Sequence, residues 1–375
     1  MTSPPDEPTE PANEVPPTID TPNDDAPNAV PSRRRTGGRI GLIMVVMSAA
    51  MVLCLLVITA SGRSVRSPPL ILTVLTVGLP YLYGLALLTL FAVWSALPDR
   101  KALPILGTIV LVCAAALWGG ALPAWPEPAD GDPLRMMSWN VRRLWGGPAD
   151  GGDPTQCVID TIREIEPDVL SLQEVSRDDV HRLSAELGMT CVHTDYLATG
   201  DPNRGGLAAC ARGSKWTMHS GLPARFIDAS PWRYVFVEIA HDDVVINLMA
   251  VHLHPYNIAH GGLGDPWDVA TSQGDQSAEL LRRVSRFKDP TLVAGDFNST
   301  RDQALHIALR GPMTDTYERG GQGFGPTVQL VGWIPLRIDY IYATDAFAVQ
   351  ASHVPAVDCS DHRPVISDIV LKPAD

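Results

Sequence analysis

Three long stretches without a charged residue lie in the first third of the chain, and they restrict its fold more than any other feature. They are residues 40–60, 70–97 and 103–121. A helix of 21 residues is roughly 30 Å long, which matches the hydrocarbon core of a bilayer. The 28-residue stretch exceeds that thickness, so we expect it to be tilted or kinked at Pro80. The stretches predict three transmembrane helices.

A cleaved signal peptide is the alternative for the first stretch. Its leader of 39 residues is longer than an ordinary n-region, and two further apolar stretches follow. The flanking cations are Arg33, Arg34, Arg35, Arg39, Arg100 and Lys101 on the side of the N-terminus, and Arg63 and Arg66 on the other. Because cations favour the cytoplasmic side, this bias predicts a cytoplasmic N-terminus and an extracytoplasmic C-terminal region.

The segments that flank the helices differ in composition. Residues 1–32 contain seven Asp or Glu, nine prolines and no Lys or Arg. Such a segment buries too little apolar surface to fold, so residues 1–38 are predicted to be a disordered tail that ends in the basic cluster. Residues 39–121 contain the three helices, and residues 122–133, rich in Pro, Asp and Gly, form a linker. Residues 134–375 are predicted to form one soluble domain of alternating strands and helices.

Four cysteines lie in the soluble domain, namely Cys157, Cys191, Cys210 and Cys359. None belongs to a CxxC motif, which argues against a zinc site. An extracytoplasmic location permits disulfides, and four cysteines allow three complete pairings between which the sequence does not choose. Buried free thiols are the alternative.

A set of polar residues follows the apolar strands of this domain, or lies at their starts. It consists of Asn140, Glu174, His252, Asp296, Asn298, Asp339, Asp361 and His362. Each residue alone has an ordinary structural explanation, such as a strand-end cap, a core histidine or a turn. Together they indicate a site, because the strand ends of a rigid sheet hold side chains in fixed positions.

Six segments in this order resemble the endonuclease/exonuclease/phosphatase superfamily, the DNase I-like metal-dependent phosphoesterases. The segments are Trp139-Asn140-Val141-Arg142, Leu172-Gln173-Glu174, Val251-His252-Leu253, Gly295-Asp296-Phe297-Asn298, Arg337-Ile338-Asp339-Tyr340 and Ser360-Asp361-His362. They span nearly the whole soluble domain. The resemblance implies an α/β fold, a four-layer α/β/β/α sandwich, which here follows three transmembrane helices.

The resemblance also implies the role of each residue. Glu174, Asn140 and Asp361 would bind the metal, which is Mg²⁺, with Mn²⁺ as the alternative ion. The catalytic residues would be His252, Asp296, Asn298, Asp339 and His362, and the substrate would contact Arg142 and Asn298. A hard cation held by few carboxylates suits phosphoester hydrolysis, which requires neutralised phosphoryl oxygens and a positioned water. Arg142 and His252 resemble the DNase I and phosphatase side of the family more than its abasic-site repair branch.

The charge of the chain argues against a nucleic-acid substrate. Its formal net charge is −13, and the region from Leu134 onward has 21 Lys or Arg against 31 Asp or Glu, a difference of −10. Residues 234–281 contain no Lys or Arg. Because binding to a phosphate backbone depends on these cations, the sequence favours a small or lipid phosphoester over duplex DNA. The alternatives are a surface nuclease that degrades external nucleic acid and a non-catalytic membrane protein that retains the fold.

Overall fold

The computed structural model describes residues 33–65, 68, 70–96, 103–118, 127–141, 151–196, 205–226, 233–241, 244–255, 266–330, 332 and 334–373. The predicted tail 1–32, most of the linker and Arg142 therefore lie outside the described residues. The helices before the soluble domain are α1 (Arg33–Ser64), α2 (Leu70–Val77), α3 (Leu79–Ala96) and α4 (Leu103–Trp118).

Helix α1 begins at Arg33, whereas the sequence predicted a start at residue 40. The basic cluster therefore forms the first turns of this helix, while its candidate membrane span begins at Leu42, close to the predicted start of the apolar stretch.

Among the described residues, the part of α1 from Leu42 to Ser64 is long and apolar enough to cross a bilayer. Helices α2 and α3 pass the same test only together, and a bend of 64° separates them. The break lies at Gly78, two residues before the expected kink at Pro80. The 16 described residues of α4 span about 24 Å, less than the roughly 30 Å of a hydrocarbon core. The prediction of three membrane helices is thus wrong for the described part of the chain, which has one such helix, or two if the bent pair counts as a span.

Two six-stranded mixed sheets form the soluble domain. The strands are β1 (Leu134–Asn140), β2 (Val169–Val175), β3 (Met189–Asp195), β4 (Gly206–Arg212), β5 (Thr217–Arg225), β6 (Arg233–His241), β7 (Val244–His252), β8 (Thr291–Asp296), β9 (Thr314–Asp315), β10 (Val328–Leu330), β11 (Ile334–Leu336), β12 (Asp339–Ala343), β13 (Phe347–His353) and β14 (Val365–Leu371). The first sheet has the order β13-β14-β1-β2-β4-β3, and the second has the order β5-β6-β7-β8-β12-β9. Strands β10 and β11 form a separate hairpin.

Helices cover the outer faces of the two sheets. They are α5 (Pro154–Ile165), α6 (Arg177–Leu187), α7 (Pro266–Val284) and α8 (Ala304–Leu309), whereas the short α9 (Thr316–Gly320) contacts strands of both sheets. Apolar side chains of α5 and α6 pack on the first sheet, and those of α7 and α8 pack on the second. A third cluster fills the space between the sheets. The predicted four-layer α/β/β/α sandwich is confirmed.

Helix α5 shows how local sequence fixes an element of this domain. The Asp153 side chain accepts hydrogen bonds from the backbone N–H groups of Thr155 and Gln156, and Pro154 occupies the first helical position. Val158 and Ile162 lie on one face and are buried against the first sheet. The sequence predicted this start and this buried face.

Two disulfides join the four cysteines of the domain. Cys157 of α5 pairs with Cys359, and Cys191 of β3 pairs with Cys210 of β4. This pairing is one of the three that the sequence allowed, and it excludes the alternative of free thiols.

The soluble domain packs against one end of the helices that precede it. Arg63, in the last turn of α1, forms an ion pair of 2.9 Å with Asp302, just before α8. The Tyr81 hydroxyl, near the start of α3, donates a hydrogen bond of 2.7 Å to the carbonyl oxygen of Pro335 in β11. The domain therefore lies at the C-terminal end of α1.

Candidate active site

The strand register brings the predicted residues together at one edge of the sandwich. Strands β1 and β2 are parallel neighbours, as are β7 and β8, so each pair ends on the same side. His252 pairs with Asp296 across β7 and β8, and Asp339 pairs with Asp296 across β12 and β8. Asn140 and Glu174 end the neighbouring strands of the other sheet.

Asn140 links the two sheets at this edge. Its Nδ2 donates hydrogen bonds to Asp296 Oδ2 at 2.9 Å and to Glu174 Oε1 at 3.3 Å. Asn140 and Asp296 are both almost fully buried. The bridge fixes the distance between two carboxylates that belong to different sheets, so both face the same space.

Glu174 has a backbone conformation that the sequence did not predict. Its φ is +58°, and the pairing of β2 with β4 shifts its register at this point. A Cβ atom at Gly205 would lie 2.6 Å from the carbonyl carbon of Glu174, so only glycine allows this close approach. The shift turns the Glu174 side chain out of the regular alternation of the strand and toward Asn140.

Asp296 is held by the turn that follows β8. Its Oδ1 accepts a hydrogen bond of 2.8 Å from the backbone N–H of Asn298, which adopts a φ of +49°. The Asn298 side chain donates from Nδ2 to the carbonyl oxygen of Leu253 at 3.0 Å. A Cβ at Gly295 would lie 1.8 Å from the carbonyl oxygen of Val251, so glycine is required where β7 and β8 meet.

The Asp296 carboxyl is buried close to another carboxylate. Burial, followed by the negative charge of Asp339, raises the pKa of Asp296 to about 8, although the charge of His362 and the Asn140 hydrogen bond oppose the shift. A nearby cation would stabilise the ionised form of a carboxyl group in this environment.

His362 and Asp339 form a buried pair beside Asp296. His362 Nδ1 and Asp339 Oδ2 are 2.9 Å apart. Burial alone would lower the pKa of His362, but the charge and hydrogen bond of Asp339 outweigh it and raise the pKa to about 10. At neutral pH, His362 is therefore an imidazolium that Asp339 orients.

His252 contacts Asp296 from the other side. Its Nε2 is 3.6 Å from Asp296 Oδ2, and its Nδ1 is 2.6 Å from the Tyr196 hydroxyl. The Tyr196 oxygen also accepts a hydrogen bond from the backbone N–H of Glu174 at 3.1 Å. Tyr196 therefore ties the His252 ring to the end of β2 and turns its Nε2 toward Asp296.

Two predicted residues stand apart from this set. Asp361 is exposed, although it directly precedes His362. Arg142, predicted to bind substrate, lies outside the described residues. The geometry thus unites seven of the nine predicted residues and leaves the roles of all nine as predictions.

The donors at this edge fit a divalent cation. Asp296, Asp339 and His362 hold one potential ligand atom each within 4.8 Å of one another, and because the His362 imidazolium has no free lone pair, the carboxylate oxygens of Asp296 and Asp339 are the candidate ligands of this group. Within the described part of the chain, the buried Asp339 Oδ1 has no hydrogen-bond partner. Carboxylate oxygens are the ligands that Mg²⁺ prefers. None of the ligands predicted from the sequence, Glu174, Asn140 and Asp361, belongs to this group, although Asn140 donates a hydrogen bond to Asp296.

Several supporting residues were missed by the sequence analysis. Tyr196 orients His252, and Thr327 Oγ1 accepts from the backbone N–H of Asp339 at 3.3 Å. Ser360 Oγ donates to the carbonyl oxygen of Asn140 at 2.8 Å and accepts from the N–H of His362 at 3.1 Å. Ser360 was named only as part of the Ser360-Asp361-His362 segment, without a role of its own. Tyr196 and Thr327 follow no apolar strand that the sequence had identified as part of the site, so no local signal marked them.

The family model of the endonuclease/exonuclease/phosphatase family matches residues 137–362, more than half of the chain. The chain belongs to this family. Members of the family are hydrolases that act on phosphoester bonds and generally depend on a divalent metal. No curated protein has a sequence that matches this chain significantly.

Solved structures support the same fold. A family protein from Beutenbergia cavernae is 24% identical, with a TM-score of 0.52 over 65% of this chain and 73% of that one. A family protein from Bacteroides vulgatus is 18% identical, with a TM-score of 0.52 over 64% of this chain and all of that one. A humanized TDP2 of D. rerio gives the same TM-score at 18% identity, over 64% of this chain and all of that one. At these identities the likeness shows the fold alone.

Proposed function

We propose that the protein is a membrane-anchored, Mg²⁺-dependent phosphoesterase that hydrolyses a small or lipid phosphoester outside the cytoplasm. The observation that carries the proposal is the buried group in which Asn140 joins Glu174 to Asp296 while the His362–Asp339 pair lies beside the same carboxylate. Phosphoester hydrolysis uses such a combination of hard oxygen ligands, a proton acceptor and a cationic acid.

The metal would be held by Glu174 and Asn140, with Asp361 completing the set from the loop before His362. The amide oxygen of Asn140, rather than its nitrogen, would be the ligand atom. When bound, the metal neutralises charge on the phosphoryl oxygens and lowers the pKa of a bound water.

The remaining residues of this chain handle protons and charge. Asp296, fixed through its Oδ1 by the N–H of Asn298, orients the attacking water and accepts its proton. The His362 imidazolium, held by Asp339, stabilises negative charge on the phosphate. His252 presents its Nε2 at the leaving-group side, because Tyr196 occupies Nδ1.

The contact between α1 and the soluble domain supports the extracytoplasmic location. The basic cluster favours a cytoplasmic N-terminal end of α1. The Arg63–Asp302 ion pair fixes the domain at the opposite end of that helix, so this inference does not depend on the number of later crossings. Two disulfides support an oxidising compartment.

The ion pair that Arg337 forms inside the domain favours a small substrate over a nucleic acid. Its guanidinium donates to both oxygens of Asp315, at 2.9 and 2.7 Å, and both side chains are buried. It is therefore not available to contact a phosphate backbone. Together with the negative charge of the domain, this leaves few cations for a long polyanion.

The experiment compares wild type with Asp296→Asn, using the full chain in detergent. Substrates are nucleotides, inositol phosphates, phospholipids and supercoiled plasmid, each with Mg²⁺, with Mn²⁺ and with EDTA. We expect metal-dependent turnover of a small or lipid phosphoester, reduced about 100-fold or more in Asp296→Asn. Asp345→Asn, at an exposed turn, is the matched control and should keep wild-type turnover.

Nicking of plasmid that exceeds turnover of every small or lipid substrate, and that Asp296→Asn abolishes, would establish the nuclease alternative instead. Equal turnover in wild type and Asp296→Asn on all substrates would support the non-catalytic alternative.

A further inference from the structure

A long uncharged segment lies just before β12. Residues 320–336, seventeen in all, contain no Asp, Glu, Lys, Arg or His. They include the β10–β11 hairpin, in which Val328 pairs with Leu336 and Leu330 pairs with Ile334. Between the strands the sequence is Val331-Gly332-Trp333, also without charge. Elsewhere the domain is strongly acidic, so this segment differs from the rest of its surface.

The hairpin contacts helix α3, the second half of the bent α2–α3 pair. Tyr81 near the start of α3 donates its hydroxyl proton to the carbonyl oxygen of Pro335 at 2.7 Å. The Arg63–Asp302 ion pair holds a second point of the domain against the C-terminal end of α1. Both contacts lie at the same end of the helices, because α1 ends and α3 begins there. The hairpin thus lies beside the C-terminal end of α1, the candidate membrane span.

The hairpin also lies next to the active site. Val328 forms an isolated bridge with His362, and the backbone N–H of Arg363 donates to the carbonyl oxygen of Thr327 at 2.7 Å. Thr327 Oγ1 accepts from the N–H groups of Ile338 and Asp339. One end of the hairpin therefore touches the Asp339–His362 pair, while Pro335 touches α3.

We propose that the β10–β11 hairpin rests in the outer interface of the bilayer and forms the membrane-side edge of the active site, so that the substrate is the phosphoester headgroup of a membrane lipid. The proposal rests on the proposed function for its chemistry. An uncharged, apolar hairpin suits the headgroup and acyl boundary. A domain with an excess of negative charge has no electrostatic attraction to an anionic membrane, so the contact must be apolar and insensitive to salt.

The first experiment measures whether the hairpin contacts lipid. Cys54 and Cys113 are replaced by alanine in the full chain, and Gln329→Cys, at an exposed position of β10, is labelled with an NBD dye. The control is Ala185→Cys, at an exposed position of α6. In phosphatidylcholine proteoliposomes, we expect the label at position 329 to be quenched by a spin-labelled lipid at low and at high salt, and the label at position 185 not to be quenched. Equal quenching at both positions, or none at 329, would overturn the proposal.

The second experiment measures turnover. Gln329→Glu adds a charge to the hairpin at constant volume, and Thr190→Glu adds the same charge at an exposed position of β3. The substrates are phosphatidylglycerol in phosphatidylcholine proteoliposomes and soluble bis(p-nitrophenyl) phosphate. We expect Gln329→Glu to lower turnover of the lipid about tenfold, equivalent to about 1.4 kcal/mol, and to leave turnover of the soluble ester unchanged. Thr190→Glu should change neither.

The outcomes separate this inference from the proposed function. If wild type hydrolyses the soluble ester but no lipid, or if Gln329→Glu lowers both rates equally, the lipid inference is wrong and the phosphoesterase remains. If wild type hydrolyses neither these two substrates nor any member of the panel that tests the proposed function, and matches Asp296→Asn, the proposed function fails, and the claim that the substrate is a lipid fails with it. The quenching measurement then still decides whether the hairpin contacts the bilayer.

Discussion

The two disulfides close loops of very different length, which predicts different effects on stability. Cys157 and Cys359 are 202 residues apart, whereas Cys191 and Cys210 are 19 apart. In the chain-entropy model, a cross-link stabilises by restricting the unfolded chain, and the effect grows with the logarithm of loop length. The model gives about 5 kcal/mol for the long loop and about 3 kcal/mol for the short one. Replacing the first pair by alanines should therefore cost about 2 kcal/mol more.

The long-loop disulfide also has a position that should affect turnover. Cys359 immediately precedes Ser360, which bridges the backbone of Asn140 and the N–H of His362. Cys157 lies in α5, which packs on the first sheet, so the disulfide ties this loop to a rigid element. Without it, the loop that carries His362 gains freedom, and we expect kcat to fall about tenfold, since small displacements of catalytic groups are costly.

The assay uses the full chain in detergent, with the Cys191→Ala/Cys210→Ala variant as the control. For a domain of this size, 1 kcal/mol shifts Tm by about 2–4 °C, so the Cys157→Ala/Cys359→Ala variant should melt about 4–8 °C below the control. Its kcat on bis(p-nitrophenyl) phosphate should fall at a temperature where both variants are folded. Equal melting temperatures would refute the loop-length reasoning, and equal kcat values would refute the positioning role.

Three further predictions concern the site and its surroundings. Tyr196→Phe removes the hydroxyl bound to His252, so kcat should fall about tenfold while Tm changes little, as single-turnover and melting measurements would show. Asp315→Asn removes the closer of the two carboxylates that pair with the buried Arg337, leaving only Glu318 at 3.4 Å, and should lower the free energy of unfolding by about 3 kcal/mol in denaturant titrations. Burial raises the pKa of Asp315, but the charge and hydrogen bonds of Arg337 outweigh burial and hold this pKa below the ordinary 3.8. The stabilising contribution of Asp315 to folding is therefore fully present above about pH 3.8 and is lost as the pH falls through the lower pKa of the folded state. Acid unfolding of wild type compared with Asp315→Asn measures this loss. Mg²⁺ should raise Tm and EDTA should reverse the increase, whereas an unchanged Tm over a wide range of Mg²⁺ would argue against a metal site.

The parts of the fold that the sequence predicts are those that depend on local pattern. The strand that ends at Asn140, the start of α5 at Asp153 and the strand that ends at Asp296 each combine an apolar run with a polar stop, and the structure has all three. Their convergence was also predictable, because neighbouring parallel strands end at one edge of a sheet.

The parts that the sequence did not predict depend on contacts between distant segments. Tyr196 is 56 residues from His252 in the chain, and no local pattern shows that its hydroxyl reaches the imidazole. A bend separates α2 from α3 where the sequence predicted one long membrane helix. The break falls at Gly78, because glycine has no side chain to restrict its backbone and destabilises a helix interior. The disulfide pairing depends on how α5 packs next to the segment that contains Cys359. The number and spacing of the cysteines do not predict that packing.

Backbone strain in this protein is concentrated at the proposed site, and this supports a functional origin for it. Among the described residues, three non-glycine residues have a positive φ, namely Glu166, Glu174 and Asn298. Glu166 ends helix α5 as a left-handed cap, which is an ordinary use of this conformation. The other two direct a carboxylate toward Asn140 and an N–H toward Asp296, and neither ends a helix. Each such conformation costs of order 1 kcal/mol or more, and it persists only where the surrounding structure requires it. Here the requirement comes from the site itself, because both residues contact the same buried carboxylate, directly or through Asn140.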